Sequence, residues 1–519
     1  ILDNIKSREK FLRNPTPAPW AAQLAYAGYG MLLLGNVSSA AVNFTQLPTV
    51  GYGMLAGEFG HAKTASAIMG AFQKYFQGGK DNNTRLTVPI IGEKIPWTLA
   101  DRTIFTGKNM EGPRGEVLRR LIDAAYASNA VRRTSSQELQ DMRRGNVDSL
   151  TGNWVRTELL LSWLFQNSER ANREILLLAA FNLATDTGKY TEAQAIDKAI
   201  RVVDRANGPA LAEAGASYMT DGAGKVMGTF KRFAISQLFL QAQLAYYAFW
   251  PMANYVDPSL PPGSPTAKQL ARKQLFAIAI PAYAMAGIKG LPLFGAAQLL
   301  YTLTKPVWGE DDDREFDMVV RDAVGDIGYR GPLSHFLNID LASRTGFYSL
   351  AFRDNPYRRA EVGFFPYAFE TLAGPVYSVT VGNFTRAHKQ WEQGNSSKAF
   401  QTMLPAPIKN VWQGIDYSIN GMRTSKGHVL VEDVGGYNTF MHILGFKPND
   451  VANIYQQNEF LKRTERKILT TRRSLLTRNF AAHLSGDYAE QNKIAKEIDE
   501  YNSRDLIIST NNAISGKTI

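Results

Sequence analysis

Apolar side chains recur at three- and four-residue spacing over much of the chain, as at 118–127 (LRRLIDAAYA), 157–165 and 174–185, and this spacing predicts amphipathic helices. The stretch 191–206 opens on Thr191 with Gln194 three positions on, a capping pattern that marks where a helix begins. Alternating patterns are scarce. Only 85–91 (RLTVPII), interrupted by Pro89, and 427–432 (GHVLVE) read as strands. The pattern predicts an all-α fold, an extended, irregular multi-helix assembly with at most a minor β-hairpin. No tandem repeat of fixed period is present, which argues against a solenoid.

Turn-forming residues punctuate the chain at 77–84, 257–266, 308–313 and 393–397. The strongest linker is 257–266 (DPSLPPGSPT), and it suggests three regions. Residues 1–256 read as a helical region with two long uncharged apolar segments, and 267–330 as an apolar helical hairpin followed by a charged helix at 314–327. Residues 331–519 read as a helical region that ends in a basic helical pair.

Residues 14–57 are 44 consecutive positions without a formal charge, in a chain of which 20% is charged. The first half, with Leu32, Leu33 and Leu34, is long enough for a bilayer-crossing helix, yet Gly28, Gly30, Gly35 and Pro48 break it. A second run, 233–256, has 24 residues without charge, a length that spans a hydrocarbon core. At helical spacing its Ser236, Gln237, Gln241 and Gln243 would face a polar lumen or a partner helix, while Leu238, Phe239, Tyr246 and Trp250 face outward. A third, 274–304, holds Phe276 and Leu299 and carries only Lys289 as a charge; Pro281, Gly287, Gly290 and Pro292 divide it into halves too short to span. Burial inside a large helical protein accounts for all three runs. So does a chain stored folded in water that later inserts into lipid.

The bulk numbers narrow the classes. An apolar share of 45% in 519 residues is enough for a large core and excludes wholesale disorder. A mean hydropathy of -0.23 argues against an ordinary polytopic membrane protein. The first residue is Ile, with no basic n-region after it, so the chain is expected to start inside a longer polypeptide or after processing. With no cysteine there is neither a disulfide nor a thiolate nucleophile or ligand. The net charge of +11 fits contact with nucleic acid or an anionic lipid surface.

Catalytic chemistry is not legible. His61, His335, His388, His428, His442 and His483 show no metal-binding spacing. The acidic tract from Glu310 through Asp311 and Asp312 to Asp313 lacks a calcium-loop pattern and reads as the acidic start of the next helix. Gly28-Tyr29-Gly30 and Gly51-Tyr52-Gly53 resemble phosphate loops only superficially, and the Gly53 to Gly57 spacing fits a close helix-packing contact. No metal and no cofactor is expected, and the chain reads as non-enzymatic. One electrostatic feature stands out. A helix expected at 458–480 carries Lys462, Arg463, Arg466, Lys467, Arg472, Arg473 and Arg478 against Glu459 and Glu465, a net +5. Such a stripe suits DNA phosphates, and a solvated face with pairs such as Glu459 to Arg463 suits it equally.

Four stretches resemble the large polyvalent and internal virion proteins of short-tailed phages: LLLGNVSSAAVNFTQLP (32–48), NSERANREILLLAAFNLA (167–184), RGPLSHFLNIDLASRTGF (330–347) and RRSLLTRNFAAHLSGDYAEQNKIAKEIDEYN (472–502). Ala342, between Leu341 and Ser343, departs from the family's tighter Asp-Ser spacing, which weakens any role the resemblance implies for Asp340 and Arg344; a buried ion pair that fixes a turn is the alternative reading of the two. The resemblance implies a component of an inner core or DNA ejection apparatus, stacked as a homo-oligomeric ring with other core and portal proteins inside the virion. It implies release ahead of the genome to build a conduit across the host cell envelope, in contact with double-stranded DNA and the host inner membrane. Two other readings stay open: the non-catalytic tail of a virion-packaged polymerase or peptidoglycan-cleaving enzyme, and a soluble DNA-binding module.

Overall fold

A computed structural model of the protein describes residues 19–78, 80–88, 97–131, 152–208, 222–228, 231–256, 261, 263–291, 294, 297, 298, 301, 316–345, 373–423 and 429–503. Among the described residues the fold is all-α apart from two small two-stranded hairpins. The chain forms two units, residues 1–354 with 362–449, and residues 355–361 with 450–519.

In the first unit the uncharged run is folded up into short pieces rather than one long helix. They are α1 (Pro19–Leu32), α2 (Val37–Phe44), a π-helical turn (Leu47–Gly51) and α3 (Tyr52–Phe59). Asn36 starts α2 by accepting a hydrogen bond from the Ser39 N–H. Pro48 sits at the first turn of the π segment, where its missing N–H is least costly. Next come α4 (His61–Gln77) and β1 (Lys80–Val88), which pairs antiparallel with β2 (Trp97–Arg102). Residues 80–84, expected in a turn, are therefore strand, and Pro89 to Ile91 lie outside the described residues.

After α5 (Gly112–Ala127), the two stretches expected at 157–165 and 174–185 are one continuous helix, α6 (Gly152–Asp186). The residues from Ile175 to Ala180 are buried without exception, so this segment is apolar all round and occupies the middle of the core. It packs against α7 (Glu192–Asn207), α4 and α2. The capping box of Thr191 and Gln194 is formed, as the spacing predicts. Glu174 is fully buried on α6; it accepts from the Thr103 hydroxyl at 2.9 Å, the Ile104 N–H at 2.8 Å and the Arg170 Nε at 2.8 Å. Burial raises its pKa above the ordinary carboxylate range, against the pull of Arg170.

The helices α8 (Gly222–Gly228), α9 (Lys231–Phe249) and α10 (Ala267–Ala286) follow. The run 233–256 thus gives a helix that stops at Phe249, and among the described residues no helix is long and apolar enough to cross a membrane. α10 continues through Pro281, which was expected to divide it. Packing against α3 on one side and α9 on the other offsets the roughly 3 kcal/mol that an interior proline costs. The α3 contact needs glycine. A Cβ at Gly53 would lie 2.9 Å from the Ile278 backbone, and one at Gly57 would lie 2.7 Å from the Gln274 N. Gln274 reaches back and donates to the Met54 carbonyl at 3.1 Å.

Gly287, at φ 61°, ends α10, and a 3-10 turn (Ile288–Gly290) follows. Pro292 and Leu299 lie outside the described residues, as does the acidic tract. The charged helix is α11 (Phe316–Arg330), kinked at Gly325, and it leads to α12 (Pro332–Phe336) and α13 (Ala342–Thr345). The unit closes with a π turn (Ser378–Gly382), α14 (Asn383–Glu392), α15 (Ser396–Met403), α16 (Ala406–Asn420), the hairpin β3 (Met422–Arg423) with β4 (Val429–Val431), and α17 (Gly436–Ile443).

The second unit is a helical pair, α18 (Asn449–Ser485) and α19 (Tyr488–Asn502). Its core is Leu475, Leu476, Ala482, Ile494, Ile498 and Tyr501. The Tyr501 hydroxyl donates to the Ile468 carbonyl at 3.1 Å.

Candidate functional site

The hairpin of α9 and α10 has one face on the core and one in solvent. Leu240, Leu244 and Ala248 fall at four-residue steps on the buried side of α9, together with Gln237 and Gln241, which are 1% and 3% exposed. Gln237 donates to the Ala206 carbonyl at 2.9 Å. On the opposite side Phe239 is 72% exposed, and Tyr246 and Trp250 stack with centroids 5.0 Å apart. The expected division of α9 into an amide face and an aromatic face is therefore present, with two differences. Gln243 points to solvent and Leu238 is half-buried. On α10 Phe276, 66% exposed, continues the outward face with Ile280 and Tyr283 at helical steps. The Arg272 Nε donates to the Ala248 carbonyl at 2.8 Å and ties the two helices together.

Leu32 and Leu33 are half-buried at the end of α1, and Leu34 is buried.

A second outward stripe lies on α16. Ile408, Val411, Trp412, Ile415 and Ile419 are exposed at steps of three and four, while Gly414 on the opposite side meets Ile443 of α17. The stripe is mostly branched aliphatic, unlike the aromatic face of α9 and α10.

Residues 32–48, 167–184 and 330–347 meet in space through polar side chains. Arg344 donates to the Ser38 hydroxyl at 3.0 Å and to the Gly445 carbonyl at 2.6 Å. Ser38 in turn donates to Asn36 Oδ1 at 2.8 Å. Asn172 donates to the Asn43 carbonyl at 2.7 Å, and Asn43 donates to the Ser168 hydroxyl at 3.3 Å. Asp340 fixes its turn by accepting from the Ser343 N–H at 3.2 Å. Its carboxyl is held below the ordinary range: burial pushes the pKa up, but Lys289, Arg330 and the Ser343 hydrogen bonds outweigh it. Sequence spacing carried no sign of this seam, because its partners lie more than a hundred positions apart.

His442 sits next to that seam, with Nε2 3.4 Å from Gln413 Oε1 and its ring 4.8 Å from the Tyr417 ring. Burial, reinforced by Lys447, Arg344 and Lys409, lowers its pKa to about 4.

In the second unit the basic stripe is helical throughout, since α18 contains Lys462, Arg463, Arg466, Lys467, Arg472, Arg473 and Arg478. The side chains of the first four lie outside the described residues. Arg473 is exposed and Arg472 half-exposed. Arg478 is engaged within the unit, bonded to Glu497 at 2.7 Å and to Glu490 at 2.8 Å.

Among the described residues no group of three or more His, Asp or Glu is placed to hold a metal ion. The chain matches no protein-family profile, and no curated protein or solved structure is similar to it at a significant level.

Proposed function

We propose that the chain is a structural component of a short-tailed phage's inner core or ejection apparatus, a non-enzymatic protein that leaves the virion and helps form a conduit for the genome across the host envelope. The observation that supports this reading is the α16 stripe, where Ile408, Val411, Ile415 and Ile419 stand exposed on one side of a helix. Branched aliphatic side chains at three- and four-residue steps fit the grooves of another helix, and a neighbouring copy in a ring would bury them. A conduit also needs basic surface toward DNA, and Arg472 and Arg473 supply it on α18. Ring assembly is tested by mass photometry of the purified chain and of Ile415→Asp. A homo-oligomer that the substitution dissolves supports the reading, and a monomer at every concentration contradicts it.

A further inference from the structure

We infer that the outward face of the α9–α10 hairpin docks flat on an anionic lipid surface, entering the headgroup region without spanning the bilayer. This deepens the membrane step of the proposed function and rests on it only for its place in infection.

Two observations choose the occupant. The first is composition. The exposed side chains include Phe239, Tyr246, Trp250, Phe276 and Tyr283, with Ile280 as the aliphatic member and Met252, 81% exposed, on the connecting segment. Tyr246, Trp250 and Tyr283 have polar-tipped rings, which favour the boundary between headgroups and acyl chains, and the two Phe rings add apolar contact; the mostly aliphatic stripe of α16 has the chemistry of helix packing. The second is charge. From Lys231 to Ala286 the sequence has five bases, Lys231, Arg232, Lys268, Arg272 and Lys273, and Asp257 as its one acid. Arg272 and Lys273 are exposed one turn before Phe276 on the outward side of α10. Basic residues rimming an aromatic face complement anionic headgroups.

The same geometry sets the depth. The opposite side of the hairpin is committed to protein, through Gln237 bonded to Ala206 and Gln274 bonded to Met54. Only one face is open to lipid, so the hairpin lies in the interface.

The chain has no cysteine, so single cysteines report one position at a time. Tyr246→Cys, Phe276→Cys and, as a control on α14, Trp391→Cys are labelled with NBD and mixed with phosphatidylcholine vesicles with or without 30 mol% phosphatidylglycerol, a proportion of about one lipid in three chosen to match anionic leaflets. The expected result is a blue shift at positions 246 and 276 on the anionic vesicles, quenched best by shallow spin-labelled lipids, with none at 391. Lys268→Gln with Lys273→Gln weakens vesicle binding roughly 25-fold, at about fivefold per charge. Absence of the shift at both positions overturns the inference. So does strongest quenching from the bilayer centre, which means spanning, or a shift without vesicles that grows with protein concentration, which means a second copy covers the face. The ejection-protein reading is judged separately, by whether the chain is found inside the capsid.

Discussion

Arg344 donates to the hydroxyl of Ser38, 306 positions earlier in the chain, at 3.0 Å. Its second terminal nitrogen reaches the Gly445 carbonyl, so one guanidinium joins the start of α2, the turn at α13 and the end of α17. Arg344→Gln removes a planar two-pronged donor and leaves partly buried acceptors. It is expected to destabilise the first unit by about 2 kcal/mol, read from the denaturant midpoint. Arg344→Lys recovers less than half of the loss, because one ammonium does not reproduce the fork.

The contact between α3 and α10 gives a steric prediction. Gly53→Ala and Gly57→Ala each force a methyl group against the backbone of α10 and are expected to cost about 2–3 kcal/mol each. Gly70, on α4, has nothing within 4 Å of an added Cβ. Gly70→Ala is expected to stabilise by up to about 1 kcal/mol through helix propensity. Equal effects at all three positions, in thermal or denaturant melts, contradict the close approach.

These two sites differ in how much the sequence disclosed. The Gly53 to Gly57 spacing is local, and it foretold helix packing correctly. The helical pattern, the Thr191 cap and the amide and aromatic sides of α9 are also local, and all are present. Pro281 does not break α10, because tertiary packing on both flanks of the helix overrides a local breaker. The Ser38–Arg344 seam was invisible, since nothing in either stretch names a partner hundreds of residues away. The exposed stripe of α16 was missed for another reason: apolar residues at helical spacing look the same whether they face a core or a partner.

His442 gives a pH dependence. Its folded-state pKa, about 4, lies below the ordinary value of 6.5 because burial and the nearby Lys447, Arg344 and Lys409 disfavour the imidazolium. The unfolded chain therefore takes up the proton first. Stability is at its full value above about pH 6.5, falls as the pH drops toward 4, and is flat with respect to this group below that. His442→Gln is expected to remove roughly 2–3 kcal/mol of the acid destabilisation over that window, seen by comparing denaturant midpoints at pH 7 and pH 4.5.

On α18, the more exposed Arg472 and Arg473 and the ion-paired Arg478 predict different behaviour toward DNA. Arg472→Gln with Arg473→Gln is expected to weaken binding to duplex DNA and to reduce the slope of log affinity against log salt by about 2. Arg478→Gln leaves the slope unchanged, since that side chain bonds Glu490 and Glu497. Its cost is to the helical pair, about 1 kcal/mol or less, and shrinks with added salt because the bridge is more than a third exposed. Fluorescence anisotropy across a salt series separates the two cases.

The proposed role of the chain, an inner-core protein assembled through outward apolar helices, can be checked by cryo-electron microscopy of the phage particle before and after genome release onto liposomes. The expected result is a ring of this chain inside the filled capsid, with Ile415 and Ile419 of α16 buried between neighbouring copies, and loss of that ring from the emptied particle. A filled capsid without the chain, or a ring that leaves the α16 stripe in solvent, would contradict it.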